Sequence, residues 1–166
     1  MFILRLKQSL QKIIKEFIMA GIKSFATTGE ITTGTAKITL LQVVAPANQR
    51  LKVREFGISF KGVVNTDAPI LVEIVRQSTA GTMSSLTLVK DDASTDETLQ
   101  ATAQHTASAE PTQTAVVKSL EVHPQTSYTW QAPYGDELLI EGGGRLAIAV
   151  TAGVSTSAVA SMSIEE

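Results

Sequence analysis

Two hydrophobic rhythms divide this chain near residue 23. From Phe2 to Phe17 the apolar residues recur at helical spacing: Phe2, Ile3, Leu6, Leu10, Ile13, Ile14 and Phe17 fall within an arc of roughly 120° on a helical wheel. Arg5, Gln8, Ser9, Lys12, Lys15 and Glu16 take the opposite side. Gly21 is the expected terminator, with Lys15 and Lys23 near the negative end of the helix dipole. The pattern predicts an amphipathic helical arm over residues 1–23 and a separate body over residues 24–166.

In the body the period falls to two. Ile38, Leu40 and Val44 alternate with Thr39, Leu41 and Val43, which predicts a central strand apolar on both faces. Over residues 51–61 the phase flips: Leu51 and Val53 share one face, Phe56, Ile58 and Phe60 the other. A β-bulge near Arg54-Glu55 reconciles the two. Further strands are predicted around Ile70, Val72 and Ile74, then Leu86 and Val89, then Val116, Leu120 and Val122. Leu146, Ile148 and Val150 alternate with Arg145, Ala147, Ala149 and Thr151. Last, Ala158, Ala160, Met162 and Ile164 point inward against Ser161, Ser163 and Glu165. Turn residues separate these runs, and all five prolines fall at strand margins. Many short strands without intervening helices predict an all-β, antiparallel two-sheet sandwich, jelly-roll-like. Residues 91–114 break the rhythm and are expected to be a long surface excursion, with one weak strand near Ala101–Thr106.

Composition narrows the function. The chain has 166 residues and no cysteine, which excludes disulfides, thiolate metal sites and thiol catalysis. Residues 1–23 carry five basic side chains against Glu16, a balance of +4. The remainder carries nine basic against fifteen acidic, or –6. An acidic body is a poor match for phosphate backbones, so nucleic acid is not an expected partner. No run of 18 apolar residues is present to span a bilayer, and the lysines interrupt any signal-peptide core.

The residues that could carry chemistry read mostly as structure. His105 and His123 lack a serine and carboxylate at triad spacing. Asp91, Asp92, Asp96 and Glu97 lack the glycine and spacing of a calcium loop. Gly142-Gly143-Gly144 leads into a strand, where no helix N-terminus awaits a phosphate. No catalytic residue, cofactor or metal is therefore expected. Tyr128, Trp130 and Tyr134 cluster near one sheet end; they serve core or edge packing, or else a carbohydrate platform or an interface anchor. The arm offers the clearest contact surface, through Leu6, Leu10, Ile13 and Phe17. Its stripe must be covered by its own domain, sister subunits, another protein or, as the weaker alternative, a membrane interface. A translation start at Met19-Ala20-Gly21 would remove it altogether.

Three stretches carry a resemblance: Lys52-Val-Arg-Glu-Phe-Gly-Ile-Ser-Phe60, Pro69-Ile-Leu-Val-Glu-Ile-Val-Arg-Gln-Ser-Thr-Ala-Gly-Thr82, and Leu138-Leu-Ile-Glu-Gly-Gly-Gly-Arg-Leu-Ala-Ile-Ala-Val-Thr-Ala152. With the closing Glu165-Glu166 they resemble small β-sandwich structural proteins of tailed bacteriophages, over roughly residues 24–166 and without the arm. The resemblance implies a non-enzymatic virion component made in the host cytoplasm. Head decoration is the role it implies, as a homo-oligomer with trimers favoured, bound to the major capsid protein or another virion protein. The alternative is a carbohydrate- or receptor-binding module of a phage adhesion device.

Overall fold

A computed structural model describes residues 21–62, 68–92 and 97–166. Among them the chain is all-β, with no helix, and forms two antiparallel sheets. The front sheet contains β1 (Lys23–Thr27), β2 (Ile31–Thr32), β4 (Leu51–Lys61), β7 (Val89–Lys90), β10 (Ser127–Gln131), β11 (Leu138–Ile140) and β13 (Ser157–Glu165). Its order is β10-β4-β13-β1-β7, with β11 also on β4 and β2 on β13. The back sheet contains β3 (Ile38–Val44), β5 (Ile70–Gln77), β6 (Thr82–Leu86), β8 (Thr102–Ala109), β9 (Gln113–Val122) and β12 (Arg145–Thr151), in the order β6-β8-β3-β12-β5-β9.

Both sheets feed one apolar core. Phe56, Ile58, Met162 and Ile164 enter it from the front, and Leu41, Ile74, Leu146 and Ile148 from the back. The alternation expected of β13 is present throughout, with Ala158, Ala160, Met162 and Ile164 all buried. The phase flip in β4 also has its expected cause. Glu55 pairs with Ser163 and Val53 with Ile164, so Arg54 is the extra residue of a bulge. Without that insertion, either Leu51 and Val53 or Phe56, Ile58 and Phe60 would face water.

β3 departs from the expectation of a strand apolar on both faces. Leu41 pairs with Ile148 and Thr39 with Ala149, so Leu40 is itself a bulged residue. Ile38, Leu40, Leu41 and Val43 therefore all serve the core, while Thr39 and Gln42 take the outer face. The same device corrects β9. Ile74 pairs with Lys118 and Val75 with Val116, which leaves Val117 as the extra residue. Val116 thus leaves the face of Leu120 and Val122 and is 46% exposed beside Val75. The expected excursion over residues 91–114 is corrected in part: the weak strand expected near Ala101–Thr106 is present as β8, but it is an eight-residue interior strand paired to both β3 and β6.

The arm expected over residues 1–23, with Leu6, Leu10, Ile13 and Phe17, lies outside the described residues as far as Ala20. Gly21 to Lys23 run beside the end of β13. Ile22 and Glu166 exchange reciprocal backbone hydrogen bonds of 3.0 Å.

Candidate interaction surface

β1 reverses the usual polarity of a strand. Ser24 and Ala26 point inward and are fully buried, whereas Phe25 points outward and is 41% exposed. Lying between β13 and β7, Phe25 pairs with Ser163 on one side and Val89 on the other. Val89 is more exposed still. The outward row continues from Ser163 to Glu55 and from Glu55 to Gln131, whose amide donates to the Glu55 carboxylate at 2.7 Å.

Beyond Gln131 the chain turns through Pro133-Tyr134-Gly135-Asp136, closed by the Asp136 amide donating to the Pro133 carbonyl at 3.0 Å. Gly135 at φ 91° provides the left-handed residue this turn needs. Tyr134 at its tip is 96% exposed. The result is a groove of about 400 Å³ bounded by Lys23, Phe25, Arg54, Glu55, Asp91, Tyr134 and Glu137. Arg54, presented by its bulge, pairs with Glu165 at 3.0 Å. The other Glu165 oxygen accepts from the Gly21 amide at 3.2 Å. The Glu137 carboxyl is held below its ordinary value, chiefly by its own backbone amide and then by that of Gly135. Three acidic groups thus face two basic ones, and one of the basic ones is already neutralised.

The other residues considered from sequence separate in space. Tyr128 and Trp130 share a face, as their spacing requires, but it is the core face. Trp130 stacks on Phe56 at 5.1 Å and lies under the Lys118 ammonium at 5.4 Å. Tyr134 is therefore the member of the trio that meets solvent. His105 contacts the Thr106 hydroxyl at 2.9 Å from β8, while His123 accepts from the Gln125 amide in the β9–β10 turn. Asp91 joins the groove; Lys90 donates to the Glu97 carbonyl at 2.9 Å. Asp92 is not among the groove's lining residues, and Asp96 lies outside the described residues. Among the described residues no three histidine or acidic side chains gather at metal-binding distance.

Gly142-Gly143-Gly144 is a tight turn in which two of the three amide donors are spent. The Gly143 amide donates to Pro46 and that of Gly144 to Glu141, leaving neither for an anion. Phe25, Val89 and Glu137 were not marked by the sequence pattern as contact residues. Their one available signal was the inverted strand, a lone aromatic flanked by Ser24 and Ala26.

No protein-family model, no curated protein and no solved structure matches this chain.

Proposed function

We propose that this protein is a non-enzymatic structural component of a tailed-phage virion, capsid-associated and oligomeric, acting by shape and contact. The strand pairing is the observation that carries the reading. β3 pairs with β12, β4 with β10 and β11, β5 with β9, and β6 with β8. These pairs nest inside one another as a single long hairpin wound onto itself, which supports a jelly-roll-like sandwich of the kind used in capsids and lectins. The β6–β8 pair joins the edge of the back sheet at β3, a variation on that winding. The sequence resemblance to phage structural proteins points the same way.

In this reading the arm's apolar face buries against a neighbouring subunit or the shell. Burial of Leu6, Leu10, Ile13 and Phe17 would supply on the order of 6–10 kcal/mol before ordering costs. Repetition over a shell multiplies a modest contact. Mass spectrometry of purified particles of the encoding phage tests this directly. The chain is expected at a copy number matching a capsid symmetry site; absence from particles overturns the reading.

A second reading is a carbohydrate-binding module, favoured by the fully exposed Tyr134 beside the acidic and amide groups of the groove. It requires glycan binding that Tyr134→Ala abolishes. Trp130 is an unsuitable platform, since its ring is engaged by Phe56 and Lys118.

A further inference from the structure

We infer that the groove at Phe25 and Tyr134, with the exposed Val89 beside it, is the seat for residues 2–17 of a second copy of this chain, so that arms exchanged between copies build the oligomer. The inference rests on the oligomeric reading above and specifies its contact. Three observations lead to it.

The first is the inverted strand. A sheet face that buries Ser24 and Ala26 and turns Phe25 outward beside Val89 leaves apolar surface that a covering partner would stabilise further. The second is complementarity. The segment preceding Gly21 carries an apolar stripe together with Arg5, Lys7, Lys12 and Lys15 against Glu16, a balance of +3. The groove sets apolar Phe25 and Tyr134, with Val89 paired beside Phe25, against Glu55, Asp91 and Glu137, and its Arg54 is answered by Glu165. Length agrees too. From Leu6 to Phe17 a helix extends about 17 Å, close to the roughly 19 Å across five strands, the path from β7 to β10.

The third observation selects another copy over the same chain. Ile22 is locked in reciprocal pairing with Glu166, and the Gly21 amide is held by Glu165. A Cβ on Gly21 would lie 2.1 Å from the Glu166 carbonyl oxygen, so this glycine is taken up by close approach to the neighbouring strand. Before it, Phe17-Ile18-Met19-Ala20 contains no Pro, Asn, Asp or Ser with which to reverse direction. With Gly21 and Ile22 committed to β13 and no reversal residue before them, a seat on a neighbouring copy is favoured over one on the same chain.

The cysteine-free chain gives a clean test. Intact mass first establishes that residues 1–18 are present; a product starting at Met19 overturns the inference. A full-length Leu10→Cys chain is then mixed with a Val89→Cys chain and, separately, with a Lys61→Cys chain, and each mixture is oxidised. A disulfide-linked pair with Val89→Cys, in several-fold excess over Lys61→Cys, is expected. Equal yields overturn the inference. So does a double Leu10→Cys/Val89→Cys chain that closes within a single molecule at high dilution. Val89→Asp with Tyr134→Asp alters exposed side chains and should leave the fold intact. Light scattering should show its mass falling to that of one chain, 17.7 kDa; an unchanged oligomer overturns the contact. An arm-exchanged oligomer missing from virions would sink the virion reading and leave this one standing.

Discussion

The outward faces of the two sheets are used in opposite ways. On the back sheet the outer residues Thr39, Gln42, Val75, Gln77, Ala147 and Ala149 are at most 6% exposed, although the face lies outside the main core. A polar chain runs through them. Gln42 donates to Gln77 at 2.6 Å, Gln77 to the Thr39 hydroxyl at 3.0 Å, and that hydroxyl to the Glu110 carboxylate at 2.7 Å. The β5–β6 and β8–β9 connections close over it: Gln42 also reaches the Thr79 carbonyl, and Ser78 and Thr79 bond Thr112. The outer face of the front sheet instead carries a row of small residues, Thr27, Ser161, Gly57 and Thr129, in which Thr27 and Thr129 are exposed and Gly57 is buried beneath its neighbours. Groups that satisfy one another inside the fold are lost to partners. The middle of the back face is therefore closed off as a second, partly polar core, with Val116 exposed at its β9 edge, while the groove lies on the front face.

The shared core sets the upper end of the scale. Phe56→Ala should cost about 3–5 kcal/mol in urea unfolding, as expected for a large aromatic removed from a packed interior. It should also shift the emission of Trp130, the single tryptophan, to longer wavelength as its stacked ring disappears. Next in size is the back face. Gln77→Ala leaves the buried Gln42 amide with only the 3.3 Å contact to Thr79 and the Thr39 hydroxyl with one partner fewer. A loss of about 1–3 kcal/mol is expected. Ser161→Ala on the front face should stay within about 0.5 kcal/mol. Equal losses at the two sites would erase the distinction between the faces.

A finer contrast lies at Gly57. A Cβ there would sit 2.9 Å from the Ser161 hydroxyl, which is the end of a short side chain and not backbone. Gly57→Ala should be near neutral or mildly destabilising with Ser161 present. In a Ser161→Ala background it should become stabilising by about 0.4–1 kcal/mol, because the unfolded chain loses freedom at no steric cost. Additive single and double variants would show that the hydroxyl row is looser than its geometry suggests.

Most of this core was legible because burial on one face imposes a period of two. β12 and β13 announce themselves, and the β4 bulge is the one insertion that puts Val53 and Phe56 on the same side. β3 and β9 misled for the same reason that β4 was readable. Their flips fall where adjacent residues are apolar on both sides, Leu40-Leu41 and Val116-Val117, so no polar residue marks the change of face. β8 was legible only as a weak strand near Ala101–Thr106, because its outward positions belong to the polar back-face layer and give little hydrophobic alternation. The groove was the least legible part. β1 inverts the pattern on which such reading depends, and Val89 becomes Phe25's neighbour through a pairing of strands 64 residues apart. Tyr134 was noticed only as one of three aromatics, and spacing alone does not separate it from Trp130.

The smallest expected effect belongs to the rim of the front groove. Glu137 accepts from its own amide and, at 3.3 Å, from that of Gly135, with Lys52 and Arg54 adding weaker attraction; together they lower its pKa below the ordinary 4.5. A carboxyl whose pKa is depressed by folding favours the folded turn above the ordinary value, and that contribution is lost as pH falls through the depressed one. The group is fully exposed, so water screens the interaction and the consequence is local order in the Pro133–Glu137 turn. In an NMR titration the Gly135 amide should move with a midpoint below 4.5, and Glu137→Gln should abolish that step. A midpoint at or above 4.5 would mean that the turn's amides do not hold the charge, and that Tyr134 is presented to a partner by the backbone of the turn alone.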